Sequence, residues 1–408
     1  VYPAELQSIK ASTEKYQELL NTLVSNFRQK SVDNMEPNEL LQILEAIGSY
    51  IPSSTAKGEV ADISLYDHMK LTAALAICLY DYLHSKGIYD YKSYCYGTKQ
   101  KALRKENTYL LVSGDISGIQ DFIYTIPSKG ALKSLRGRSF YLELLMENVI
   151  DELLERLDLN RCNLIYNGGG NFYLLLPNTS QVLTELENVQ NIINQWFLEK
   201  FGTRLYIAIG WAPCAANDFM VNSGNALGSI YSKARSLIAV QKHRRYNAYQ
   251  LGQLFQPYSQ INIVKDGARE CSICHTSSTN LSLYGDAEET WACDMCCSLR
   301  NLGEELLKYD VLVVLDKMPD TKQKCVELPS LQGKRYLMAI AEKEVSQLSN
   351  IKRIYVKNLI YTGQQMATRL WMGDYITVSG THTMELEELA KLAGGDKQAS
   401  GIDRLGVM

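Results

Sequence analysis

Tyr109-Leu110-Leu111-Val112-Ser113-Gly114-Asp115 decides the fold. A short apolar run closed by Ser-Gly-Asp reads as a buried strand running into a tight loop. Downstream, residues 139–157 have helical spacing. Residues 163–166 and 172–176 read as two strands around the turn Asn167-Gly168-Gly169-Gly170-Asn171. Residues 182–201 form a second helix and 205–211 a fourth strand. The order β-α-β-β-α-β is that of the ferredoxin-like split unit, so the expected class is α/β in its α+β form.

Upstream, the apolar positions Leu6, Ile9, Tyr16, Leu19, Leu20 and Leu23 recur at helical spacing, as do Leu40, Leu41, Ile43, Leu44 and Ile47. A long apolar helix is expected over 66–83, ending near Gly87. Residues 89–105 are polar and Tyr-rich, with Lys99, Lys101, Arg104 and Lys105, and read as a linker or surface excursion. Downstream come a basic helical insertion at 228–246, a cysteine window at 265–300, and strands at 310–315 and 353–356 that open a second α/β unit. A helix is expected at 385–392 and the start of a strand in 401–408. The predicted division is 1–95 helical, 96–262 the ferredoxin-like domain with its basic insertion, 263–305 a zinc-binding domain, 306–400 a linker and α/β segment, and 401–408 the start of a second such domain.

The 408 residues are 46% hydrophobic and 21% charged, which excludes disorder as the main state. No apolar run approaches the roughly 18–20 residues that span a bilayer, so no membrane partner is expected. A net charge of -3 excludes a global cation field for nucleic acid, leaving only local patches. Neither a P-loop nor a nucleophile elbow occurs.

Five of the ten cysteines fall in one window. Cys271-x-x-Cys274 and Cys293-x-x-Cys296 each turn two thiolates toward one centre, and four thiolates close a tetrahedral Zn(II) site of structural type. Cys297 and His275 fit that spacing less well. The other cysteines read as reduced core residues, as in a cytoplasmic protein.

In palm-type nucleotidyltransferases and cyclases, carboxylates at the first strand's end and on the following hairpin hold two Mg(II) ions. Here Asp115 and Asp121 can supply the first, but the hairpin Gly168-Gly169-Gly170-Asn171 has no acid. Two readings stand side by side: a degenerate palm that binds nucleotide through Gly114, Asp115, Ser117, Gly118, Gln120 and Gly168–Asn171, or a tight turn that needs positive φ. Residues 128–138, with Lys133, Arg136 and Arg138, read as a phosphate site at a helix N-terminus or as a solvated basic loop. Lys233, Arg235, Lys242, His243, Arg244 and Arg245 form a second patch, for RNA backbone, a partner subunit or solvent. In Tyr66-Asp67-His68 the favoured reading is that Asp67 caps the helix and His68 packs.

In order along the chain, Ser64–His68, Gly114–Tyr124, Ser128–Tyr141, Gly168–Asn171, the four-Cys knuckle, Leu370-Trp371-Met372-Gly373-Asp374-Tyr375 and Gly401-Ile402-Asp403-Arg404-Leu405-Gly406-Val407 resemble the large subunit of type III-A CRISPR effector complexes. The resemblance implies an HD nuclease acting on single-stranded DNA, then two palm domains flanking a zinc-binding domain. It implies a palm pair that converts ATP, with Mg or Mn, to cyclic oligoadenylates when guide RNA pairs with target RNA. Partners implied are the other effector subunits, CRISPR RNA, target RNA and single-stranded DNA.

The family's HD dyad is expected before Val1 and its acid-bearing GGDD hairpin after Met408. Gly394-Gly395-Asp396 reads as a turn. On that reading no catalytic residue lies in these 408 residues, and alone they are expected to be inactive. The alternatives are a non-catalytic scaffold docking guide RNA and neighbouring subunits, or a diguanylate-cyclase-like protein, which the acid-free hairpin disfavours.

Overall fold

The computed structural model describes residues 13–370, apart from 30–34, 55, 57, 59–61, 127–130, 221–223, 260, 263, 265, 286–289, 320–324 and 358–366. The expected helix at 385–392, the motifs at 371–375 and 401–407, the turn at 394–396 and the Ser128–Gly130 end of the basic stretch lie outside the described residues.

Helices α1 (Thr13–Gln29), α2 (Pro37–Gly48) and α3 (Leu65–Ser85) open the described chain. The cap of α3 is Ser64, whose Oγ accepts from the Asp67 N–H at 3.0 Å and donates to the Asp67 carboxylate at 2.7 Å. His68 is exposed. The expected assignment is therefore corrected: serine reaches the orphan donor, aspartate answers from the third position, and histidine points to solvent. Residues 89–105 are also more ordered than a linker. Two short helices, α4 (Tyr91–Cys95) and α5 (Gln100–Leu103), enclose a small core of Tyr82, Leu83 and Leu103.

The first sheet holds β1 (Tyr109–Ser117), β2 (Leu164–Gly168), β3 (Asn171–Pro177) and β4 (Tyr206–Cys214) in the order β2-β3-β1-β4, every pair antiparallel. After β1 come α6 (Ile119–Tyr124) and α7 (Ala131–Arg156), and after β3 comes α8 (Ser180–Phe201). Thr179 caps α8 and Gly202, at φ +62°, ends it. Alternation along β1 sends Leu110 and Val112 to a core shared with α7 and α8. It sends Tyr109 and Leu111 to a second core with Ala74 and Cys78 of α3 and Ile230 and Ala234 of α9 (Ala226–His243). Helices thus cover both faces, which accounts for the near-continuous apolar run. A short α10 (Ala248–Phe255) follows.

Two small hairpins come next: β5 (Arg269–Glu270) with β6 (Ser277–Ser278), and β7 (Leu281–Leu283) with β8 (Trp291–Cys293). Helix α11 (Asp294–Glu305) then packs across α7. The crossing is close because both helices carry glycine there: a Cβ on Gly137 would sit 1.8 Å from the Leu299 carbonyl oxygen, and one on Gly303 1.9 Å from that of Lys133.

The second sheet contains β9 (Val311–Leu315), β10 (Val326–Leu328), β11 (Arg335–Ile340), β12 (Ile351–Lys357) and β13 (Thr368–Leu370), in the order β10-β11-β9-β12-β13. All its pairs are antiparallel except β12–β13. The strands expected at 310–315 and 353–356 are β9 and β12, while the helix expected at 385–392 lies outside the described residues. Among the described residues no α-helix alternates with these strands; Leu312, Val314, Leu337 and Tyr355 instead share one core with α7 and α11. No helix of the described residues is long and apolar enough to cross a membrane.

Candidate functional site

The turn between β2 and β3 lies against the end of β1. Asp115 is paired across the sheet with Asn171, and the Ile116 N–H donates to the Gly170 carbonyl at 3.0 Å. Gly169 and Gly170 have φ of +61° and +81°, a region that side chains rarely adopt. Around Gly169 the space is open, whereas a Cβ on Gly170 would meet Ile119 Cδ1 at 2.2 Å. Gly118, at φ +91°, turns the chain into α6, and Gly114 lies against the Phe172 ring. Gly168 and Ser117 are half-buried beside the turn, and Gln120 is exposed on α6. The structure thus brings together the end of β1 and the whole Gly168–Asn171 turn, with the positive φ that the tight-turn reading expects at Gly169 and Gly170.

Asp115, Ser113 and Ser117 share the sheet face covered by α9, by the same alternation that sends Leu111 there. The Asp115 carboxylate is held by Lys242 Nζ at 2.5 Å. Sequence reading placed Lys242 in a surface patch and missed this role. A signal was present: Ile230, Ala234 and Ile238 recur every fourth residue on the buried face of α9, and Lys242 is the next position. The Ser113 hydroxyl is buried on that face without a hydrogen-bond partner. Tyr231 of α9 meets Tyr173 edge-on, with ring centroids 5.0 Å apart. Asp121 is exposed on α6. Among the described residues, the four cysteines are the one group of three or more potential ligands gathered for a metal ion.

Lys133 is held elsewhere. Its ammonium pairs with Glu304 of α11 at 3.1 Å. Arg136 and Arg138 are buried: Arg136 donates to the Gly303 carbonyl at 2.8 Å, and Arg138 to the Phe122 carbonyl at 3.1 Å and to Cys296 Sγ at 3.2 Å. The solvated basic loop expected over this stretch is, from Lys133 to Arg138, the seam that joins α7 to the cysteine module. Lys233, Arg235, His243, Arg244 and Arg245 of the second patch are exposed.

The Sγ atoms of Cys271, Cys274, Cys293 and Cys296 all lie within 4.8 Å of one another. Tetrahedral Zn(II) with bonds near 2.3 Å needs sulfurs about 3.8 Å apart, and Cys274 and Cys293 stand at 3.6 Å. The donors around them suit thiolates. Cys271 Sγ accepts from the Cys293 and Ile273 N–H groups at 3.3 and 3.5 Å, and Cys296 lies in the first turn of α11, where the helix dipole favours negative charge. The cluster is compatible with a structural zinc ion. His275 is exposed on Glu270, at 2.6 Å, and the Cys297 thiol points to the Ala292 carbonyl.

Known proteins resemble this chain in sequence and in structure. Residues 108–260 match the family described as Csm1 subunit domain B. The chain is 38% identical over 412 residues to a Mycobacterium tuberculosis protein named CRISPR system single-strand-specific deoxyribonuclease Cas10/Csm1 (subtype III-A), covering 98% of this chain and 48% of that one. A Streptococcus thermophilus protein of the same name is 38% identical over 392 residues, covering 94% and 46%. The chain therefore spans about half the length of these relatives. Among solved structures, an apo Csm1–Csm4 cassette superposes with a TM-score of 0.64 at 26% identity, over 90% of this chain and 42% of that one. The cassette in complex with cA4 gives 0.61 at 26% identity, over 88% and 41%.

Proposed function

We propose that this chain, a relative of the Cas10/Csm1 large subunits of type III-A CRISPR systems, is the nucleotide-binding half of a cyclic oligoadenylate synthetase. The four-stranded sheet is its first palm. The observation that carries the reading is the glycine turn seated on the aspartate end of β1, open above Gly169. With no Cβ in the way, a ribose or phosphate can approach the backbone, while Asn171 and Ser117 offer donors beside it. Similar structures were solved with AMPPNP and with one ATP, which makes ATP the ligand to test.

The Asp115–Lys242 pair favours a platform that binds nucleotide without a metal of its own, because the carboxylate already has its counter-charge. Metal-dependent chemistry, on Mg or Mn, is assigned to carboxylates of the second palm. The cysteine module would hold zinc between the two palms as a fixed joint. The single-stranded DNA cleavage named for the relatives, and contacts with other effector subunits, CRISPR RNA and target RNA, are assigned to the whole cytoplasmic complex.

Titration calorimetry of ATP into the chain tests the reading. Gly169→Trp carries a ring into the space above the turn, where a Cβ meets nothing within 4 Å, at the cost of local strain from the +61° φ. It is expected to weaken ATP binding at least about tenfold, a loss of about 1.4 kcal/mol, while circular dichroism shows the chain folded. Absence of ATP binding by the unaltered chain, or equal affinity in the variant, sinks it and leaves the scaffold reading.

A further inference from the structure

Six of the 26 tyrosines fall between positions 80 and 96. The fold uses only part of them. Tyr82 is buried in the small core, with Tyr91 and Tyr94 packed against it. Tyr80, Tyr89 and Tyr96 are 53%, 64% and 86% exposed. Large rings left in water at this density call for an explanation beyond packing.

Their arrangement supplies one. Tyr80 stacks on His84, with centroids 5.9 Å apart and planes 18° from parallel, and Tyr89 meets the same His84 ring edge-on at 5.5 Å. The rings form a short exposed ladder along the end of α3. Between Tyr80 and Glu106 the chain carries six cations, Lys86, Lys92, Lys99, Lys101, Arg104 and Lys105, against the acids Asp81, Asp90 and Glu106. Two of those acids are already engaged: Glu106 by the Tyr82 hydroxyl and Lys86, Asp90 by the Ser93 N–H. Lys99 stands 4.3 Å over the Tyr94 ring.

Beside this surface opens a cavity of about 220 Å³, walled by Tyr94, Gln100, Arg104, Thr108 and Tyr109. Its wall thus combines the Tyr94 and Tyr109 rings with the amide of Gln100 and the guanidinium of Arg104, an apolar face beside polar groups.

We infer that Tyr80–Lys105 is a track for single-stranded nucleic acid. Tyr80, His84 and Tyr89 stack bases, Lys99, Lys101 and Arg104 face the phosphates, and the cavity at Thr108 takes one splayed base. Every base has a π-face, so such a platform is sequence-tolerant, and it excludes a duplex, whose bases are already stacked. This inference does not rest on the glycine-turn site.

The test is fluorescence anisotropy of short labelled oligo-dT and oligo-rU with the 408-residue chain at about 0.1 M salt. A paired duplex serves as competitor and circular dichroism checks the variants' folding. Two stacking rings at about 1–3 kcal/mol each predict that Tyr80→Ala with Tyr89→Ala weakens binding at least about thirtyfold. The Tyr80→Phe, Tyr89→Phe pair keeps the π-faces and is expected to bind within twofold of the unaltered chain. Binding of both strands supports a shared track; binding of one identifies its natural strand. The inference is overturned if neither strand binds, if the alanine pair binds within twofold of the unaltered chain, if the phenylalanine pair loses as much as the alanine pair, or if the duplex competes as well as a single strand.

Discussion

The two sheets hold α7 by different proportions of apolar and ionic contact. The first meets it chiefly through apolar groups, with Leu110, Val112, Phe172 and Leu174 in one core with Leu144, Met146 and Ile150, and adds one buried pair where Arg161, at the entry to β2, meets Glu147 and Asp151. The second adds to its apolar contact a buried ionic seam. Glu152 accepts from Arg335 Nε at 2.9 Å, Arg353 Nη1 at 3.1 Å, and the Ser330 hydroxyl and Leu331 N–H at 3.1 Å each. Asp151 accepts from the Tyr355 hydroxyl of β12 at 2.7 Å. Apolar burial is non-directional and tolerates small shifts, whereas a buried ion pair is stabilising only with its full set of partners in place. The first attachment should thus yield gradually and the second abruptly.

The largest effect is expected where the seam loses a partner. Arg353→Ala removes one of the donors of Glu152 and of Glu155, and that of the Asn148 side-chain oxygen, and is expected to cost about 3 kcal/mol in denaturant unfolding. Amide exchange should show β9–β13 opening before β1–β4. Arg353→Lys keeps a cation at the seam and should recover part of that loss, whereas Glu152→Leu would strand Arg335 as well. A single variant that costs under about 1 kcal/mol would place the seam with surface pairs, and the contrast between the sheets would fail.

The same contrast explains what could be read in advance. β1 to β4 announce themselves by apolar runs, and the turn by its glycines, so the first sheet and the Asp115–Asn171 platform were legible. β10 and β11 were not. Arg335 opens β11 and Arg353 lies within β12, where a cation reads as surface, and their carboxylates lie far upstream on α7. Arg136 and Arg138 misled for the same reason, since nothing local reveals that Gly137 and Gly303 let α11 close over them. Lys242 was half-legible, through its four-residue spacing alone.

A smaller, pH-dependent effect is expected between the sheets. A cavity of about 350 Å³ opens between α2, α3, α7, β2 and β13, and Glu143 lies in its wall. Burial, and then the nearby Glu147 charge, push the Glu143 carboxyl up to about 7. A raised carboxyl favours the fold while protonated, so its contribution is full below the ordinary carboxylate range and is lost as pH rises through about 7. Glu143→Gln should therefore flatten the stability profile between about pH 4 and 7 and stabilise the protein at pH 8 by about 1–2 kcal/mol. An unchanged slope would mean that the cavity is wet enough to solvate the charge.

The smallest effect sharpens the assignment of the nucleotide platform. In the sequence Lys133 read as the phosphate ligand and Lys242 as part of a separate surface patch, yet Lys242 meets Asp115 at the glycine turn and Lys133 meets Glu304 on α11. Lys308, followed by Lys133, holds the Glu304 carboxyl down to about 2. A depressed carboxyl stabilises the fold above its ordinary range, and that contribution fades as pH falls toward 2. The side chains of Lys133 and Glu304 are 42% and 34% exposed, so the pair is screened. Lys133→Ala is expected to cost below about 1 kcal/mol in low salt, and less as salt is raised. Its ATP affinity by calorimetry should match the unaltered chain, because that ammonium is committed to joining α7 to α11. A tenfold loss would return Lys133 to the phosphates and make the α11 contact a resting arrangement that nucleotide displaces.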